Sequence, residues 1–135
     1  MRAFIIRLEN RPGTLADLTE ALGERGINIS GVSGSTWDDT GALGLITNDD
    51  AGTRSVLDAR SADYRELELV AAGMEDRPGT LGAAARLLAD RGVNIGAIMP
   101  TGMQGTKVTV AFAVDDAAAA REALGDLALA GTTSI

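Results

Sequence analysis

The feature that most constrains this chain is that it contains itself twice. Residues 10–29 read NRPGTLADLTEALGERGINI and residues 76–95 read DRPGTLGAAARLLADRGVNI, with ten of the twenty positions identical at an offset of 66. At that offset Asp49-Asp50 is expected to match Asp115-Asp116. A chain of 135 residues built from a repeat of about half its length holds two similar small units rather than one larger domain. The boundary is expected between Leu69 and Val70, giving domains of residues 1–69 and 70–135.

Each copy has the same local grammar. Phe4, Ile6 and Leu8 alternate with Ala3, Ile5 and Arg7, which is strand periodicity, and Val70, Ala72 and Met74 repeat it. Pro-Gly at 12–13 and 78–79 ends the strand and opens a helix. Leu15, Leu18 and Leu22 form that helix's apolar stripe, matched by Leu81, Ala84 and Leu88. Gly26 and Gly92 supply the left-handed residue that closes it. Second strands are expected over 27–33 and 93–99, with hairpin turns near 38–41 and 102–105. In the third strand of copy two Val108, Val110, Phe112 and Val114 alternate with smaller residues. Asp49 or Asp50, and Asp115 or Asp116, then cap helices over 51–59 and 117–124. Last strands follow near 65–69 and 128–134. The order per copy is βαββαβ, so the fold class is α+β: two ferredoxin-like units in tandem. No linker separates the copies, so they are expected to pack as an intramolecular pseudo-dimer, with a bulge or twist where the apolar parity flips between Leu69 and Val70.

Composition removes most chemistry. Cysteine and histidine are absent, so thiol nucleophiles, imidazole bases, disulfides and Cys/His zinc sites are excluded. The residue set leaves one lysine, Lys107, and one tyrosine, Tyr64, beside hydroxyls and carboxylates. No enzyme, metal site or cofactor is expected. A net charge of −7 and 3% aromatic content disfavour nucleic acid. The uncharged run 92–106 contains Pro100 and four glycines, which rules out a spanning helix, and no stretch reads as a targeting segment. A cytoplasmic protein is expected. Gly102-Met-Gln-Gly105 lacks the Gly-Lys-Ser/Thr ending of a phosphate loop and reads as a turn. The adjacent carboxylates at 38–39, 49–50 and 115–116 read as turns and caps, not as an acid/base pair.

The paired motifs, Asn10-Arg-Pro-Gly-Thr-Leu15 with Gly26-Ile-Asn-Ile29 and Asp76-Arg-Pro-Gly-Thr-Leu81 with Gly92-Val-Asn-Ile95, resemble the ACT domain. The resemblance covers essentially the whole chain and is greatest to stand-alone tandem ACT proteins without a catalytic domain. It implies a non-catalytic regulatory protein that binds a free amino acid and signals to an enzyme or regulator of amino-acid metabolism. It also implies sites near Asn10, Pro12, Gly13, Asn28 and Ile29, and near Asp76, Pro78, Gly79, Asn94 and Ile95. The residue chemistry is compatible. Helix N-terminal amides suit a carboxylate, an Asx side chain accepts from an ammonium, and glycine admits close approach. The plainer reading leaves Asn10 and Asp76 as helix caps, Asn28 and Asn94 as turn residues, and the whole chain as an interaction module without a ligand. Homodimerisation is expected through a sheet face of copy one, where Ile5, Leu43 and Leu45 are predicted to project away from the helices.

Overall fold

A computed structural model describes residues 1–130. The chain divides into two compact units, Arg2–Glu66 and the residues from Leu67 onward. The first holds β1 (Arg2–Glu9), α1 (Thr14–Glu24), β2 (Ile29–Trp37), β3 (Thr40–Thr47) and α2 (Asp50–Ala59). β4 (Asp63–Glu75) begins in the first unit and ends in the second. The second unit continues with α3 (Thr80–Asp90), β5 (Ile95–Gln104), β6 (Lys107–Val114) and α4 (Ala117–Leu124). The expected last strand, 128–134, lies mostly outside the described residues. Its start is marked by a single antiparallel bridge between Ala72 and Ala128.

In the first unit β3 lies between β1 and β2, antiparallel to both, so β1 and β2 run the same way. In the second, β6 lies between β4 and β5 in the same manner. This is the split βαβ plan of a ferredoxin-like sandwich, built twice. Phe4, Ile6, Leu18, Leu22, Ile27, Leu43, Leu45, Val56 and Leu57 form one core. Val70, Ala72, Met74, Ala84, Leu88, Val93, Val110, Phe112, Val114, Ala117, Ala120 and Leu124 form the other.

Both first helices stop by one device. The Gly26 amide donates to the Gly23 carbonyl and the Ile27 amide to that of Leu22, with Gly26 at φ 70°. Gly92 and Val93 repeat this onto Ala89 and Leu88, again with φ 70°. These are Schellman closures, with Ile27 and Val93 joining Leu22 and Leu88 in the cores. The second strands therefore start later than expected, at Ile29 and Ile95, because residues 27 and 93 serve the helix stop. Asp49 and Asp116 cap α2 and α4, accepting from the amides of Gly52 and Ala119.

Three expectations are corrected. Leu15 and Leu81 are not core: they remain 50% and 48% exposed, while Leu18, Leu22, Ala84 and Leu88 are buried. Leu43 and Leu45 do not project outward. They pair with Ile6 and Phe4 and lie in the helix-facing core. Finally, the offset of 66 does not hold throughout. Ile29 pairs with Thr47 and Ile95 with Val114, so the second hairpin is one residue longer. Both hairpins bulge after their first pair, but only β5 has a second bulge, between Pro100 and Gly102, which makes Thr101 the inserted residue. Past that point the offset is 67, so Leu45, not Ile46, corresponds to Phe112.

Candidate functional site

The loops joining β1 to α1 and β4 to α3 share one set of internal hydrogen bonds. The amide of Arg11 turns back onto the Glu9 carbonyl at 3.0 Å, and Arg77 onto Glu75 at 2.9 Å. Thr14 Oγ1 lies 3.0 Å from the Glu9 carbonyl oxygen and 3.2 Å from that of Arg11. Thr80 repeats this at 2.9 and 3.1 Å to Glu75 and Arg77. Sequence reading missed these threonines as loop-shaping residues, although their place in both Pro-Gly-Thr copies was the available signal. Gly13 and Gly79 occupy the N-cap positions at φ 94° and 90°, which favour glycine, and neither helix has a side-chain cap. The first-turn amides of α1 and α3 therefore point out of the loop without a side-chain acceptor.

Asn10 does not cap its helix. Its side-chain amide donates to the Asp38 carbonyl at 2.8 Å, and its backbone amide to that of Asp39 at 2.8 Å. The loop is thus fastened to the tip of the β2–β3 hairpin. The Asp76 backbone amide makes the matching bond to Thr106 at 3.2 Å. Pro12 and Pro78 are exposed in these loops.

Asn28, Ile29, Asn94 and Ile95 lie elsewhere. Thr40 of β3 is level with Glu9 and Trp37, whereas Thr47 is level with Ile29. Seven residues of strand separate these levels, roughly 23 Å. Within one unit, no single amino acid touches both the loop and the start of the second strand. Asn28 and Asn94 are held by their backbones: their amides donate to Asn48 Oδ1 at 3.0 Å and Asp115 Oδ1 at 2.9 Å. Both residues are exposed.

Beside the first loop lies a groove of about 500 Å³. Leu8, Gly41, Leu43 and Gly34 form its sheet side, Val32 and Thr36 its edge-strand wall, and Leu15 its helix wall. Glu9, Asn10, Arg11, Thr14 and Ser35 complete the rim. Arg11 Nε donates to Glu9 Oε2 at 2.8 Å, and both side chains are mostly exposed. A second depression, of about 540 Å³, lies over the opposite face of that sheet, where Arg7 and Asp63 pair at 3.2 Å. Ile5 and Ala42 give it some aliphatic lining, but no helix N-terminus borders it, so the first groove is the stronger candidate. Among the described residues no cluster of acidic side chains is suited to hold a metal, and no helix is long and apolar enough to cross a membrane.

Among solved structures, a Bacteroides thetaiotaomicron protein aligns with a TM-score of 0.74 at 24% identity, covering 91% of this chain and 85% of that one. The ligand-free regulatory subunit of aspartate kinase from Thermus thermophilus aligns with a TM-score of 0.67 at 17% identity, covering 93% and 90%. The corresponding subunit from Thermus flavus gives 0.59 at 20% identity, covering 91% and 88%. At these identities the likeness is one of fold. Among curated proteins none matches. The sequence model of the ACT domain matches twice, over residues 3–62 and 69–128. With two matches spanning most of its length, the chain belongs to the ACT-domain family, whose domains are amino-acid-binding regulatory modules.

Proposed function

We propose that this chain is a non-catalytic cytoplasmic sensor: it binds a free amino acid and presents the bound state to an enzyme or regulator of amino-acid metabolism. The supporting observation is the duplicated loop before α1 and α3, held by its threonine bonds yet leaving both helices without a side-chain cap. Such a loop accepts a carboxylate without any proton transfer, which suits a chain lacking cysteine and histidine. Asn10, Pro12 and Gly13, with Asp76, Pro78 and Gly79, are the proposed ligand-facing loop residues. Asp76 adds a full charge for an ammonium where Asn10 is neutral. Asn28, Ile29, Asn94 and Ile95 remain proposed contacts at the far ends of their units.

A homodimer is proposed as the working form. Of the sheet-face patch expected to drive it only Ile5 is left, since Leu43 and Leu45 are buried. Trp37 at 85% exposure and Met103 at 62%, on the two hairpins, are the apolar surface that now supports it. The same exposed side chains favour the second reading, an interaction module with no ligand. Thermal shift and calorimetry against the twenty amino acids at millimolar concentration separate the two. A ligand at a hundredfold excess over its Kd stabilises the folded state by about 2.7 kcal/mol, which raises Tm by several degrees. No shift with any amino acid overturns the sensor reading.

A further inference from the structure

We infer that the groove of the first unit is a binding site for an α-amino acid with an aliphatic side chain, and that the second unit, whatever its loop at Asp76, Pro78 and Gly79 contacts, offers no matching aliphatic groove. This rests on the sensor reading and narrows it to one site and one side-chain class.

The walls supply the first argument. Leu15 and Val32 are each 50% exposed and line the same concavity over Leu8 and Leu43. Aliphatic surface left open to water inside a groove matches an aliphatic ligand.

Charge at the rim supplies the second. An α-amino acid carries an ammonium and a carboxylate close together, and the mouth of the groove holds Glu9 and Arg11 as an adjacent pair of opposite sign. The ammonium is matched by Glu9, and the carboxylate by Arg11 and the uncapped first turn of α1. In the second unit the equivalent Glu75 carboxylate accepts instead from Thr106 Oγ1 at 3.1 Å.

Floor residues supply the third. Gly41 pairs with Leu8 and Thr36, and Gly34 with Leu43. Neither glycine has a positive φ, so the backbone does not demand one. A Cβ at Gly41 would stand 3.4 Å from the Leu8 carbonyl oxygen and 3.6 Å from Thr36 Cγ2; at Gly34 it would stand 3.4 Å from Leu43 Cδ1. What these positions provide is room. In the second unit, strand pairing places Val108 at the position of Gly41, Met103 at that of Thr36 and Pro100 at that of Gly34. Each replacement is larger.

The test is calorimetry on the full chain with isoleucine, leucine, valine, aspartate and lysine as probes. An aliphatic probe is expected to bind once per chain and at least tenfold more tightly than aspartate or lysine. Gly41→Val and Leu15→Ser are each expected to weaken it at least tenfold, and Leu81→Ser, on the matching wall of the second unit, by less than twofold. Should Gly41→Val fail to fold, Leu15→Ser, at an exposed position, carries the result. Tight binding of aspartate or lysine that ignores Gly41→Val and Leu15→Ser overturns this site while the sensor reading stands. Two equivalent aliphatic ligands per chain overturn the asymmetry. If none of the twenty amino acids binds, both readings fall.

Discussion

The two units share a frame and differ in what they hang on it. The glycine-closed helix stops, the threonine-folded loops, and the aspartate caps at 49 and 116 recur with the same partners. These are positions where backbone geometry dictates the residue, so divergence after duplication has little freedom there. Interiors and the groove are different. In the first unit Phe4 on β1 faces Leu45 on β3; in the second Val70 on β4 faces Phe112 on β6. The large ring has changed strands while the paired volume is nearly kept, as close-packed cores allow. No such compensation operates at the groove, where Gly34, Thr36 and Gly41 are all outsized by Pro100, Met103 and Val108. Cores conserve volume because folding requires it, whereas an exposed groove keeps its depth only for a reason outside folding.

The largest expected effect tests that exchange. Phe4→Val removes most of a fully buried ring and should cost roughly 2–3 kcal/mol. Phe4→Val with Leu45→Phe recreates the arrangement of the second unit and should recover at least half of the loss, read by urea denaturation. A double variant no more stable than the single one would show that the units pack by unrelated rules. The ring contact of Phe4 with Tyr64, centroids 6.1 Å apart, is one interaction the exchange disturbs.

The βαββαβ order, the helix stops and the alternation in β1 and β6 were legible because each is a local pattern with a local cause. Errors arose where a single residue displaced a pattern. Thr101 is absorbed in a bulge inside a strand, where nothing in composition marks it, and it moves every later comparison by one position. The offset of 66, carried past it, sets Ile46 rather than Leu45 against Phe112 and so predicts the wrong face for Leu43 and Leu45. Leu15 and Leu81 satisfy the helical spacing, yet they sit in the first turn of their helices and stay about half exposed. Spacing reports a helix face but not how far the opposing layer extends. The loop residues were recognisable, but the separation of Asn10 from Asn28 was not. It follows from the two strands running parallel, which places the end of the first strand and the start of the second at opposite ends of the sheet.

A smaller effect is expected where one unit is polar and the other apolar inside. Thr47 and Thr53 are buried in the first unit with their hydroxyls 2.7 Å apart, and Thr53 Oγ1 also donates to the Asp49 carbonyl at 2.8 Å. At the offset of 67 the second unit has Val114 and Ala120 there, both buried. Thr53→Ala alone should cost about 1–2 kcal/mol, since it removes the buried hydroxyl that bonds both Thr47 and the Asp49 carbonyl. Adding Thr47→Val should cost less than the sum of the two single changes, with a coupling of about 1 kcal/mol. Strict additivity would mean that the hydroxyl pair does not act as a unit.

The smallest effect concerns charge. Arg54 on α2 holds Glu66 on β4, with Nε to Oε2 at 3.0 Å and Nη2 to Oε1 at 2.5 Å. That hydrogen bond holds the Glu66 carboxyl below the ordinary glutamate range, against the opposing pull of desolvation, and it raises the Arg54 guanidinium. Arg121, which occupies the matching position on α4, has no ion-pair partner among the described residues. Because the folded pKa of Glu66 lies below its unfolded value, its contribution is present above the unfolded pKa and is lost as pH falls through the folded one. Glu66→Gln should therefore lower Tm slightly at neutral pH, and the difference from the wild type should shrink once pH drops below the ordinary glutamate range. Since the pair is partly exposed, added salt should reduce the neutral-pH difference as well. Arg121→Gln should leave the pH dependence unchanged. Melting curves from about pH 7 to pH 2.5 decide the matter, because a Glu66→Gln difference that stays constant across that range would remove any charge contribution from the pair.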